Sequence, residues 1–259
     1  WIAAAVLVPL FVLVAIGGGY WYYKKREREG RPITNPCAGA LTKSTTGTQI
    51  LAVGSGTYDG ATSVSGGTLQ VTTAASFGSS VGGIVINNAA NAAATLDLAT
   101  AGGTSIGDAV TFAGGNNPTL LLSSVGTTTL TGGIVMSSAS TANIAQGAGT
   151  LAVSTVGISG AGTLTKSGPG TLQLGVATTL GGLNLSQGVL AIGLANALAA
   201  STNLTLAAGT SFNLNGFDQT IASLSGTGTV TNDDTVGGSN AAATLTIAAG
   251  GGSFAGDIT

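Results

Sequence analysis

The sequence predicts an all-β solenoid, a stack of short strands wound into coils, preceded by one apolar helix. Three observations carry this expectation. Apolar pairs with a period of two residues recur from about Ile50 to the end of the chain. Gly-rich and Asn-rich turn signals separate them. A charge-free run, Trp1–Tyr23, stands ahead of all of it.

That run exceeds the ~20 apolar residues a helix needs to span a bilayer. Both tryptophans, Trp1 and Trp21, and three of the four tyrosines, Tyr20, Tyr22 and Tyr23, flank it. Aromatic side chains are enriched at the two membrane interfaces, so these are the expected interface residues. The apolar core of a secretory signal is shorter, ~7–15 residues, which favours a retained span. The basic run follows at once, with Lys24, Lys25, Arg26 and Arg28 completing the expected interface set and Arg31 beyond them. Cationic side chains beside a span stay on the cytoplasmic side, near anionic headgroups. Gly30 to Gly47, with Pro32, Pro36 and many Ser and Thr, reads as a connector. The expected divisions are a transmembrane helix at 1–23, a basic juxtamembrane segment and linker at 24–49, and a repeat domain at 50–259. Because the chain begins with Trp1 and stops inside a repeat, we expect it to continue in both directions in the natural protein.

The repeat domain is built of pairs. Leu69/Val71, Ile84/Ile86, Leu96/Leu98, Val110/Phe112, Leu120/Leu122, Ile134/Met136 and Leu151/Val153 come first. Leu172/Leu174, Leu183/Leu185, Leu204/Leu206, Phe212/Leu214 and Leu245/Ile247 follow. Alternation of this kind puts one side chain inward and the next outward on a strand. A tighter pattern, Gly-Thr-Leu-x-Leu or close to it, stands at Gly67–Val71, Gly149–Val153, Gly170–Leu174 and Gly188–Ile192. A repeat of ~20–26 residues gives about eight to ten coils and, at ~4.8 Å per coil, a rod roughly 40–50 Å long. A sandwich or barrel is the alternative, disfavoured because long Greek-key loops are not evident. Ala195–Ala200 is the nearest approach to a helical stripe, and it is short.

Charge and composition narrow the chemistry. From Pro32 onward there are seven Asp and two Lys, with no Arg and no Glu. Nucleic-acid binding needs a basic footprint, which this region lacks. With no His and one Cys, neither a Ser-His-Asp nor a Cys-His arrangement can be built, and Cys/His zinc sites are excluded. No cofactor or metal is expected. Asp233-Asp234 and Asp218 read as turn residues, because adjacent strand positions face opposite ways. Cys37 reads as an inert lone thiol.

Three segments resemble the autotransporter-associated β-strand repeat of large bacterial surface proteins. They are Gly56–Val71 (GTYDGATSVSGGTLQV), Gly162–Leu174 (GTLTKSGPGTLQL) and Asn213–Asn232 (NLNGFDQTIASLSGTGTVTN). The resemblance implies a right-handed parallel β-helix on an exported passenger. A C-terminal barrel and a typical cleavable signal, both usual in that family, are absent from this chain. A second likeness covers the first thirty-odd residues. The apolar run and the segment Arg28, Glu29, Gly30 and Pro32 resemble the membrane anchor of the H subunit of purple-bacterial reaction centres.

The expected function is therefore non-catalytic: a membrane-anchored surface passenger or scaffold, stalk-like or adhesin-like. Its partners would be the lipid bilayer and other proteins, with no nucleic acid. The alternative is an accessory subunit of an integral-membrane complex, with its helix docked and its β-domain bracing neighbours. Family likeness places the β-domain on the surface side of the membrane, whereas the basic run places it in the cytoplasm.

Overall fold

The structure, a computed structural model, describes residues 39–52, 60–73, 77, 82–87, 93–114, 118–137, 141–233 and 241–259. The expected span at 1–23, its interface residues Trp1, Tyr20, Trp21, Tyr22, Tyr23, Lys24, Lys25, Arg26 and Arg28, and Cys37 all lie outside the described residues.

The described chain is a parallel β-solenoid of about eight turns. Every strand pairs in parallel with the equivalent strand of the next coil, forming three ladders. The first runs from Leu41–Lys43 through Thr62–Val64, Ile84–Asn87 and Val110–Ala113 to Ile134–Met136. The second runs from Thr48–Leu51 through Gly67–Val71, Ala94–Leu98 and Thr119–Leu122 to Thr141–Gln146. The long strand Ile158–Ser167 joins both ladders, with a register shift between Gly160 and Thr163 at the bend. The third ladder is an eight-stranded sheet from Thr104–Ile106 to Asp257–Ile258.

Coil length varies. Thr171 pairs with Val189, eighteen residues on, and Thr229 with Asp257, twenty-eight on. The stack tolerates such variation because only the strands must keep register.

The core is the inward half of the alternation. Of the apolar pairs read from the sequence, all but one have both members buried. They form like-on-like ladders, such as Leu151–Leu172–Leu190–Phe212–Val230. The exception is Leu245/Ile247: Ile247 is 39 % exposed. Among the described residues its strand, Leu245–Gly251, has a neighbour on one side only, so the ladder covers Ile247 from that side alone.

The sheets include Leu41–Lys43 and Thr48–Leu51 at the N-terminal end of the described residues. The four Gly-Thr-Leu-x-Leu copies lie on two different ladders. Gly67–Val71 lies in the second ladder, while the strands of the other three copies lie in the third. The pattern encodes a tight turn followed by a half-buried strand, and every corner of the solenoid makes that same demand. Ala195–Ala200 forms turns rather than a helix and supplies buried Ala197 and Leu198 to the core.

Candidate functional site

The most extended feature of the molecule is an outward column on the second ladder. It runs from Thr48 through Thr68, Thr95, Thr119, Asn143, Thr165, Asn184 and Thr205 to Ser225, each paired with the next. Like side chains at the ~4.8 Å strand spacing are within reach of one another. The Thr205 and Ser225 hydroxyls lie 3.1 Å apart. Beside the column, Ser167 donates to Asn143 Oδ1 at 2.9 Å, and Ser223 to Asn203 Oδ1 at 2.7 Å. The surface carries few charges as well as being regular. Among the described residues, Lys43, Asp97, Asp108 and Lys166 are buried, and the exposed charged side chains are Asp218, Asp233 and Asp257. From Gly39 to Phe217, no described residue presents an exposed charge.

The two buried lysines share one device. Lys166 is fully buried, yet its ammonium donates to Gly168 O at 2.7 Å, Gln187 O at 3.0 Å and Ser167 O at 3.3 Å. An ammonium carries three N–H donors, and three carbonyls meet them. Gln187 belongs to the next coil, so the lysine fastens two corners together. Burial still pushes its pKa down from 10.5 to about 8. Lys43 repeats the arrangement, donating to Thr45 O and, across to the next coil, to Gly66 O at 3.0 Å. Burial lowers its pKa too. Composition analysis passed over both lysines. The signal that could have found them is a shared phrase, Leu-Thr-Lys-Ser-x-x-Gly, at Leu41–Gly47 and again at Leu164–Gly170.

A second network knits the later corners with amide side chains and one carboxylate. Asn213 is buried and its amide brackets the Asp233 backbone: Nδ2 donates to Asp233 O at 2.8 Å and Oδ1 accepts Asp233 N at 3.0 Å. Asn215, at φ +51°, donates to Ile192 O of the preceding coil at 3.0 Å. Gln219 accepts from Leu198 N at 3.2 Å and donates to Leu194 O at 2.9 Å. Asp218 does sit in a turn, as its sequence context predicts, but its carboxylate accepts Thr244 N of the next coil at 2.6 Å. The stretch Asn213–Gln219 is thus a set of clamps between coils.

Asp97 is paired within the stack, accepting Gln70 Nε2 at 2.7 Å and Ser123 N at 3.3 Å. Asp108 is the remaining buried acid. Burial pushes its carboxyl up from 3.8 to about 6, partly opposed by a hydrogen bond to its own amide. Asp108 and the two lysines stand apart: each lysine ammonium is held by backbone carbonyls and not by a carboxylate. Comparison with protein-family models, with curated proteins and with solved structures finds no significant match. The arrangement offers a long, neutral, repetitive face of hydroxyls and amides on a rod locked corner to corner.

Proposed function

We propose that the chain is a non-catalytic, membrane-anchored scaffold, a stalk-like or adhesin-like passenger whose β-rod is right-handed. The observation that supports it is the uniform outward column from Thr48 to Ser225, on a surface where no described residue between Gly39 and Phe217 exposes a charge. A catalytic cleft concentrates titratable groups at one place. A spacer or display surface repeats the same chemistry along its length. Right-handedness rests on the rule that crossovers between parallel strands of one sheet are right-handed in about 98 % of cases. In this reading Trp1–Tyr23 tethers the rod, and Lys24 to Arg31 holds the tether at the headgroups.

The deciding experiment is topology. Cys37 is the sole thiol, so a membrane-impermeant thiol reagent reports which side the rod occupies. Labelling in intact bacterial cells, or after opening the outer membrane alone, supports the passenger. Labelling only after the inner membrane is breached sinks it. That outcome would turn attention to the second reading, an accessory subunit of a membrane complex, which the basic run beside the apolar segment favours. Co-purification in stoichiometric amounts with an integral-membrane complex would support that reading. Turnover on a panel of polysaccharides would overturn both.

A further inference from the structure

Four corners of the solenoid share one construction, beneath Gly67, Gly149, Gly170 and Gly188; the one beneath Gly149 is built on Ser124 O and Gly126 O, with Leu122 at the position that Gln146 takes in the next coil. A Cβ on Gly67 would land on the carbonyl oxygens of Thr45 and Gly47, and one on Gly188 on those of Gly168 and Gly170. A Cβ on Gly170 would land on those of Gly147 and Gly149 in the same way. Each corner therefore gathers two carbonyls, two residues apart, beneath a glycine of the next coil. In those beneath Gly67, Gly188 and Gly170, the second carbonyl accepts a ladder N–H: Thr68 N to Gly47 O, Val189 N to Gly170 O and Thr171 N to Gly149 O. In the corners beneath Gly67 and Gly188 a lysine ammonium fills the remaining space and bonds Thr45 O or Gly168 O.

The corner beneath Gly170 has no lysine. Its buried side chain is Gln146, 2 % exposed, whose Nε2 donates to Thr171 O at 2.8 Å. That bond places the amide in the corner beside Gly170. The other atom of the amide, Oε1, is buried and has no partner. Oε1 is an acceptor, and the corner that the Gln146 amide enters already holds two more acceptors, Gly147 O and Gly149 O. A buried acceptor without a donor is costly, so the corner calls for a cation or a donor.

We propose that the Gln146 corner binds a potassium-sized monovalent cation. The oxygens gathered there are neutral, as in other sites that hold potassium by carbonyl dipoles. Divalent calcium and magnesium are usually held with carboxylates, and this set contains none. The two lysine corners already hold the closest covalent mimic, a tethered ammonium. The bound ion would fasten the coils containing Gln146 and Thr171 as Lys166 fastens the next pair.

The test uses the full chain in detergent, melted in potassium chloride or in N-methylglucamine chloride at equal ionic strength. Potassium at ten times its half-saturating concentration should raise the melting temperature by about 3–6 °C, and the rise should saturate. Gln146→Lys should melt at or above the potassium-saturated wild type and show no response to potassium. Equal melting of the wild type in the two salts overturns the proposal, as does an undiminished potassium response in Gln146→Lys. Should that variant fail to fold, crystals grown with rubidium decide on the wild type alone. An anomalous peak in contact with Gln146 Oε1 supports the site, and an ordered water in its place overturns it.

Discussion

At the scale of single residues, the buried charges make opposite predictions about pH. The folded Lys166 has its pKa near 8, below the 10.5 of an exposed lysine. Between those values the unfolded chain binds more protons, so stability rises with pH through that window. Urea melts of the wild type and Lys166→Met at pH 7.5 and 10 should show this rise in the wild type and lose it in the variant. Asp108 runs the other way, because its folded pKa of about 6 lies above the ordinary 3.8. Its contribution is full below pH 3.8 and is lost as pH rises through about 6. Asp108→Asn should therefore stabilise the protein at pH 7.5, by up to about 3 kcal/mol, and do little at pH 4. A variant that melts like the wild type at both pH values would remove burial as the cause.

At the scale of the element, what matters is the inward ladder and the corner beneath it. Leu172 lies between Leu151 and Leu190 and is fully buried. Leu172→Asp should cost several kcal/mol, about 4 or more, because no partner waits for a charge there. Gln173→Lys, one residue away and outward, should stay within about 0.5 kcal/mol. Chemical denaturation of the pair checks both, and similar losses would refute the inward–outward assignment. Gly188 and Gly209 separate sterics from backbone preference. Both have positive φ, +76° and +75°, but a Cβ on Gly188 would meet Gly168 O at 2.6 Å and Lys166 Nζ at 2.8 Å, whereas one on Gly209 meets nothing within 4 Å. Gly209→Ala should cost only the left-handed penalty, about 1–2 kcal/mol. Gly188→Ala should cost clearly more, since it also breaks the carbonyl corner that Lys166 fastens.

At the scale of the whole molecule, a solenoid's stability is close to a sum over coils and their interfaces. Val189 pairs with Ser211, so deleting residues 189–210 removes one coil and joins equivalent points. The shortened chain should keep its β-sheet circular dichroism and shorten by about 4.8 Å in small-angle scattering. A closed barrel or sandwich would instead lose its fold, because no strand there is dispensable. The neutral surface belongs to this scale as well. It arises because the described charges after Gly39 are turned inward, as Lys43, Asp97, Asp108 and Lys166 are, or lie in the later coils, as Asp218, Asp233 and Asp257 do.

Much of this was legible beforehand. Alternation of Leu, Val and Ile with Thr, Ser and Asn predicts strands whose inward half forms a core. Turn residues at each interruption predict corners, and the near-regular recurrence predicts stacking. These follow from the sequence because they are local demands of the backbone. Only the tertiary structure decided which ladder each Gly-Thr-Leu-x-Leu copy joins, because one local pattern satisfies every corner. It also decided that Lys43 and Lys166 point inward, where carbonyls from two coils converge on each ammonium. Gln146 lies buried for the same reason. Such groups look like ordinary polar residues in the sequence, because the partners that hold them come from the next coil, some twenty residues away.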